Sequence, residues 1–280
     1  MSAQKGNSGT QKKPDRQDEL RRQNEAVARR MEHIKNTYVV LSGKGGVGKS
    51  SVAANLALAL SERGRSVGLL DIDIHGPSIP KMFGLDNTRL ASEENAIIPA
   101  RFSSLKIMSI GFTLRDQDEA VIWRGPMKYT AIRQFLGDVE WGDLDYLIID
   151  SPPGTGDEPL SVVQLAGNPT GGIVVTTPQG ISINDVRKSV TFCRRLDLPV
   201  AGVIENMSGY VCPACGEVSY IFKQGGGEGM ADEMGVPFLG RIPIETRMVE
   251  ACDAGTPFVE EYADTETASL FADIAETLDT

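Results

Sequence analysis

An α/β fold, with a mostly parallel central sheet flanked by helices on both faces, is predicted by three observations on the 280-residue sequence. Short apolar runs that suit buried strands alternate along the chain with segments of helical periodicity, which is the pattern of strand-helix-strand units. Two of those runs end in aspartate, at Asp71 and Asp150, and the carboxyl ends of parallel strands are where open α/β sheets gather their ligands. The first run, residues 38–41, enters a glycine-rich loop that leads into an Ala/Leu-rich helix at residues 51–60.

That loop reads Gly43-Lys44-Gly45-Gly46-Val47-Gly48-Lys49-Ser50, followed by Ser51, and fits the phosphate-binding pattern G-x-x-x-x-G-K-[ST]. Its glycines let successive backbone N–H groups, together with the helix N-terminus, point at phosphate oxygens. Lys49 is expected to reach the β- and γ-phosphates and the Ser50 hydroxyl to ligate Mg²⁺. The chain is therefore read as a nucleoside triphosphate binder of the P-loop type. Lys44 adds a second cation, and KGGVGKS resembles the deviant loop of the dimeric P-loop ATPases related to MinD, ParA and the nitrogenase iron protein. In that group the additional lysine reaches across a dimer interface to the partner's nucleotide.

A formal net charge of −10 disfavours nucleic acid or an anionic membrane as the main partner. Residues 1–36 hold nine Lys/Arg against five Asp/Glu, about +4, which leaves about −14 for the rest. No stretch has the length of a signal core or a membrane span, so a cytoplasmic location is expected. The four cysteines then read as thiols or metal ligands rather than disulfides. The chain divides into a polar tail, residues 1–36, and one P-loop ATPase domain, residues 37–280. Residues 1–18 offer almost nothing to bury and are expected to be mobile. From Glu19 onward, Leu20, Val27, Met31 and Ile34 mark a short amphipathic helix.

The second strand, residues 66–71, places Asp71 and, two residues on, Asp73 at its carboxyl end. Alternate residues of an extended chain point the same way, so both are expected to face one Mg²⁺-nucleotide. His75, with no evident metal partners, reads as a structural hydrogen-bonder, and residues 93–115 as an edge region. A helix is expected from Trp123-Arg124-Gly125-Pro126 through Leu136. The strand at 145–150 ends in Asp150 as a Walker B element does, where an aspartate holds the Mg²⁺ shell. Ser151-Pro-Pro-Gly-Thr-Gly-Asp157 follows as a rigid, glycine-jointed loop suited to sensing the γ-phosphate. A strand at 172–177 and a helix at 181–196 come next, with Cys193 on the apolar stripe of the helix and so in the core. The strand at 200–205 leads to Asn206, where the resembled ATPases use an asparagine on the adenine ring; with Gly209 where a guanine reader wants aspartate, the nucleotide is read as ATP. A last strand at 236–242 and helices at 245–252 and 264–278 complete the chain.

Cys212-Pro-Ala-Cys215 is the second informative stretch. A C-x-x-C turn with proline and a flanking glycine directs two sulfurs at one metal centre, and the surroundings read as an irregular loop rather than the helix start of a redox dithiol. Two thiolates do not complete a four-thiolate site, and Cys193 and Cys252 lie in helical patterns. Two copies of the loop meeting on a two-fold axis supply four.

In combination, SGKGGVGKSS, LLDIDIHGPSIP, WRGPM, LIIDSPPGTGD, IENMSGYVCPACG and GVPFLGRIPI resemble the Mrp/ApbC family of P-loop iron-sulfur cluster carrier proteins, from about Thr37 to the C-terminus. The resemblance implies a homodimer that binds and slowly hydrolyses ATP and carries a [4Fe-4S] cluster for transfer to apo iron-sulfur proteins. By position it implies Lys44 as the trans-acting lysine, Lys49 and Ser50 on phosphate and Mg²⁺, Asp73 on the attacking water, Asp150 near Mg²⁺, Asn206 on adenine, and Cys212 and Cys215 on the bridging cluster; Asp71 is placed at the Mg²⁺ by its position at the strand end. The N-terminal cysteine cluster of the eukaryotic cytosolic scaffolds has no counterpart in residues 1–36, nor has the small N-terminal domain of some bacterial members. Two other readings stand beside it: a ParA/MinD-like positioning ATPase, which leaves the cysteine pair unexplained, and an ATPase dimer with structural Zn²⁺ on the same thiolates.

Overall fold

The polar N-terminal helix stops where the first buried strand starts, and from there strands and helices alternate as the apolar runs require. The structure, a computed structural model, describes residues 16–74, 76–93, 96–113, 125–212 and 214–280. The readings of residues 1–15, His75, Trp123, Arg124 and Pro213 lie outside the described residues. Along the chain, α1 (Arg16–Met31) and β1 (Ile34–Ser42) lead into the glycine loop and α2 (Lys49–Glu62), then β2 (Val67–Asp71) and the single-turn α3 (Ile79–Met82). A small hairpin, β3 (Ser92–Glu93) and β4 (Ala96–Ile97), precedes β5 (Ala100–Phe102), β6 (Leu105–Ser109) and α4 (Gly125–Gly137). The second half runs β7 (Leu144–Asp150), α5 (Asp157–Leu165), β8 (Gly171–Thr176), α6 (Gly180–Arg195), β9 (Val200–Val211), β10 (Val218–Ser219) and α7 (Gly226–Met234). It closes with β11 (Phe238–Ile244), α8 (Thr246–Ala254), α9 (Phe258–Glu261) and α10 (Glu266–Leu278).

The main sheet has nine strands in the order β10-β9-β8-β1-β7-β2-β6-β5, with β11 also paired to β9. All of its pairings are parallel except the two short edges, β5 on β6 and β10 on β9. The predicted fold class is thereby observed, and within the 93–115 stretch the described strands β5 and β6 do form an edge of the main sheet. Alternation along the central strands divides the core in two. Tyr38 and Val40 of β1 and Tyr146 and Ile148 of β7 pack towards α2, α9 and α10, whereas Val39, Leu41, Leu147 and Ile149 pack towards α4, α5 and α6. Cys193 is fully buried in the second layer, as its stripe predicted.

One boundary differs from expectation for a tertiary reason. Ile34 does not extend the amphipathic helix; it opens β1, is buried, and pairs in register with Leu144. The helix itself packs on α4, with Val27 buried against Gly137 and the Arg30 guanidinium making two bonds, 2.8 and 2.6 Å, to the Glu140 carboxylate. Among the described residues, no helix is long and apolar enough to cross a membrane.

Candidate nucleotide and metal-cluster sites

β1 delivers the chain to the carboxyl edge of the sheet, where it turns through Gly43–Gly48 into α2. Gly48 caps that helix with φ 79°, a left-handed conformation, and a β-carbon there would stand 2.2 Å from the Asn206 amide nitrogen. Gly43 is needed for a different reason: a β-carbon would lie 2.4 Å from the Asp185 carbonyl carbon, because α6 abuts the loop. The resulting cleft, about 280 Å³, is lined by residues 44–51 with Ser42, Asp73, Ser78, Met82 and Pro153. Lys44, half-buried, is part of that wall. The N-terminus of α2 and the loop's backbone N–H groups give it the positive end that phosphate requires.

Behind the loop sits a buried charge cluster. The Lys49 ammonium donates to Asp150 Oδ1, and both side chains are almost completely buried. The other oxygen, Asp150 Oδ2, is buried with no hydrogen-bond partner among the described residues. An unpartnered carboxylate oxygen beside the Ser50 hydroxyl is the donor set a hard divalent cation takes, so Ser50 and Asp150 fit Mg²⁺ on the nucleotide.

Asp71 stands differently from the expectation that it faces the metal alongside Asp73. It lies opposite Asp150 in the β2–β7 register and is fully buried. Ser109 Oγ donates to its Oδ2 at 2.8 Å and the Asp73 N–H donates to its Oδ1 at 3.0 Å, so both oxygens are engaged inside the protein. Asp71 thus sets the backbone of Asp73, which alone of the two lines the cleft. Burial, and then the facing Asp150, push the Asp71 carboxyl up to about 8. Burial also raises Asp150, against the pull of Lys49. Of the two, Asp150 is the one that holds the Lys49 ammonium, which favours its charged form, so the proton shared out by the facing pair is favoured on Asp71.

A pH effect follows from Asp71. The folded chain retains a proton there that an ordinary carboxyl of pKa 3.8 loses, so its stabilisation is complete below about pH 4 and is lost as pH rises through about 8. In Mg²⁺-free, nucleotide-free protein, the melting temperature of the wild type should therefore fall more between pH 5 and pH 8 than that of Asp71→Asn, whose amide does not titrate in that range. Equal slopes in the two proteins would remove Asp71 as the buried acid.

β9 joins this cleft to the cysteines. Asn206, buried, donates through Nδ2 to the Val47 carbonyl at 2.8 Å, holding the phosphate loop from the side. The strand then kinks: Met207 has φ 57° and Gly209 φ 92°, and the β11 partner advances from Ile242 to Ile244 while β9 advances from Asn206 to Tyr210. Beyond the kink β9 runs on to Val211, and β10 returns against it with Val218 paired to Val211. The cysteine stretch is therefore the tip of a hairpin rather than the irregular loop expected, because the partner strand is only two residues long and carries no signature of its own. At that tip Cys212 N donates to Glu217 O at 3.0 Å and Gly216 N to Cys212 O at 2.8 Å. The backbone N–H groups of Ala214 and Cys215, with the Cys215 side chain, hold the Cys212 thiol below its usual range. Cys215 is exposed. Around them Val211, Val218, Tyr220 and Ile221 are between 43 and 60 % exposed, an apolar collar on the arm. Among the described residues, no group of three or more Cys, His, Asp or Glu is placed to hold a metal ion. Cys193 and Cys252 stand elsewhere: burial pushes the first up to about 12, and the second lies on α8 beside Ser51, 3.8 Å from its hydroxyl.

Glu205 is a residue the sequence reading passed over. Fully buried, it accepts from Ser208 Oγ at 2.6 Å on the outgoing side of the cysteine arm, and from Gly225 N at 2.9 Å and Gly227 N at 2.5 Å on the returning side. One carboxylate so ties both feet of the arm to the sheet and caps α7. Its only sequence signal is a charge at the end of an apolar strand beside a later glycine run.

A family profile described as the NUBPL iron-transfer P-loop NTPase matches residues 33–279. The iron-sulfur cluster carrier protein of Methanocaldococcus jannaschii is 52 % identical over 247 residues, covering 88 % of this chain and 85 % of that one. The cytosolic Fe-S cluster assembly factor CFD1 of Kluyveromyces lactis is 49 % identical, covering 84 % of this chain and 85 % of its own. Among solved structures, the nucleotide-binding protein of Archaeoglobus fulgidus in complex with ADP superposes with a TM-score of 0.75 at 40 % identity, over 85 % of this chain and 93 % of that one. MinD of Pyrococcus horikoshii with Mg-ADP gives 0.63 at 25 % identity, over 88 % and 96 %.

Proposed function

The chain belongs to the ParA/NUBPL family of iron-transfer P-loop NTPases, and from that premise we propose that it is a Mg²⁺-dependent ATPase that carries a [4Fe-4S] cluster between two copies of itself and passes it to apo iron-sulfur proteins. The observation that carries the reading is the pair of thiols at the tip of the β9–β10 arm, one already biased towards thiolate, with no further ligand gathered round them among the described residues. A second copy of the arm supplies the two missing thiolates, and the apolar collar suits burial in that contact. The relatives named for iron-sulfur carriage and assembly supply the choice of cargo.

In the nucleotide cleft, Lys49 and the loop N–H groups bind the β- and γ-phosphates, and Ser50 and Asp150 hold Mg²⁺. When bound, that cation offsets charge on the transferring phosphoryl group. Asp73, its backbone set by Asp71, orients the attacking water; Lys44 reaches the nucleotide of the partner. Hydrolysis yields ADP and phosphate. Asn206 donates to the phosphate loop through its nitrogen, which leaves the oxygen as an acceptor suited to the adenine amino group. From Asn206 to Cys212 the chain spans at most about 20 Å, so a shift of the phosphate loop has a short path to the arm.

Anaerobic reconstitution with iron and sulfide tests the assignment. About four irons per dimer, a thiolate-to-iron absorption band and transfer of the cluster to an apo-ferredoxin are expected. Dilution should release cluster and dimer together, since occupancy and association are linked. One cluster per monomer, or zinc retained at two thiolates per chain in place of iron, would sink the reading.

A further inference from the structure

The most basic helix of this acidic chain borders the loop that borders the nucleotide. On α6, Arg187, Lys188, Thr191, Phe192 and Arg195 recur at helical spacing on one face, and with Thr155 they line an open groove of about 410 Å³. Thr155 belongs to the loop after β7, two residues beyond Pro153, which lines the nucleotide cleft. Between them Gly154 N donates to Ser42 O at 2.8 Å, at the root of the phosphate loop. One short loop is thus a wall of both cavities.

We propose that this groove docks an acidic segment of a partner protein, an extended run of Asp and Glu, and that the bound nucleotide sets its affinity through the Pro153–Thr155 loop. Three cations, two hydroxyls and the half-buried ring of Phe192 make a surface for carboxylates on a short apolar floor. The cations are available at little cost. Lys188 pairs with Asp185 at 2.9 Å and Arg187 with Glu233, but both pairs are at the surface, where such contacts are weak and exchange readily for another carboxylate. Arg195 is exposed and makes no ion pair among the described residues. A nucleic acid is the poorer occupant: it would bring a continuous polyanion against a chain of net charge −10, whereas a short acidic segment meets only the groove. The proposal does not rest on the cluster assignment, and either can fail alone.

Fluorescence anisotropy of a labelled deca-glutamate peptide on the full chain tests it, with nucleotide-free, ADP-bound and non-hydrolysable ATP-analogue-bound protein in parallel. Saturable binding that weakens as salt is raised is expected, with affinity differing between the ADP and ATP-analogue states. Lys188→Gln/Arg195→Gln should weaken it about tenfold and Lys188→Glu/Arg195→Glu further, with ATP turnover unchanged, since neither side chain lines the nucleotide cleft. Undiminished peptide binding by the charge-reversed protein would overturn the groove assignment. Equal affinity in all three nucleotide states would overturn the coupling. A single-stranded oligonucleotide that binds the same groove more tightly than the peptide would hand the site to nucleic acid.

Discussion

Replacing Cys212 and Cys215 together by serine should leave a folded, ATP-binding chain with no iron. The expected fall is from about four irons per dimer to none after anaerobic reconstitution. Thiolate, not thiol, is the ligand, and Cys212 is held below its usual range by the N–H groups of Ala214 and Cys215. A serine hydroxyl in that turn gains the same N–H groups but does not ionise near neutrality, so it offers iron no anion. The fold loses little: Cys215 is exposed and Cys212 half-buried, and a substitution at such a site costs about 0.5 kcal/mol or less. Nucleotide affinity should hold as well, because no residue of the arm lines the phosphate cleft. Cys193→Ser is the control with the opposite signature. It puts a hydroxyl into the fully buried layer under α6, at about 1–3 kcal/mol if unpaired, and leaves the iron content unchanged. Iron retained in the Cys212/Cys215 double variant would move the cluster to other ligands.

The sequence is legible where a signal is local. The strand-loop-helix around Lys49, the aspartate closing the apolar run at Asp150 and the stripe that buries Cys193 are each written within a dozen residues, and the structure keeps all three. Where the structure departs from the local signal, the cause is a partner from elsewhere in the chain. Period-two reasoning gave Asp71 and Asp73 one direction, but Ser109, arriving on β6 beside β2, captures Asp71 inside and leaves Asp73 to the cleft. Ile34 fits a helical stripe as well as a strand, and it is pairing with Leu144 that decides. Glu205 looks like a stray charge until the fold brings Gly225 and Gly227 to it from twenty residues further on. The groove of α6 needs Thr155 from another loop, so no window of sequence contains it.

Lys49→Ala should abolish ATP turnover and also cost the nucleotide-free protein about 3–5 kcal/mol, because it strips the counter-charge from a buried carboxylate. Asp150 then has one oxygen that has lost its ammonium and another that has no partner among the described residues. It can escape only by taking up a proton, and with Lys49 gone the main influence holding its pKa down is gone too. The sign of the pH dependence follows. A raised folded-state pKa gives stability that is present at low pH and lost as pH rises, here by about 1.4 kcal/mol per unit until the carboxyl ionises in the folded state. Chemical denaturation in EDTA should therefore find Lys49→Ala much closer to wild type at pH 5 than at pH 8. Replacing both members by apolar side chains, Lys49→Met/Asp150→Leu, should recover most of the lost stability while phosphate release stays at zero, since the pair contributes to function through the phosphates and Mg²⁺ rather than to net folding energy. That separation is the deciding result. A Lys49→Ala protein as stable as wild type at pH 8 would mean that Asp150 is not held as a buried anion. Phosphate release persisting in the double variant would place the catalytic cation somewhere other than Lys49.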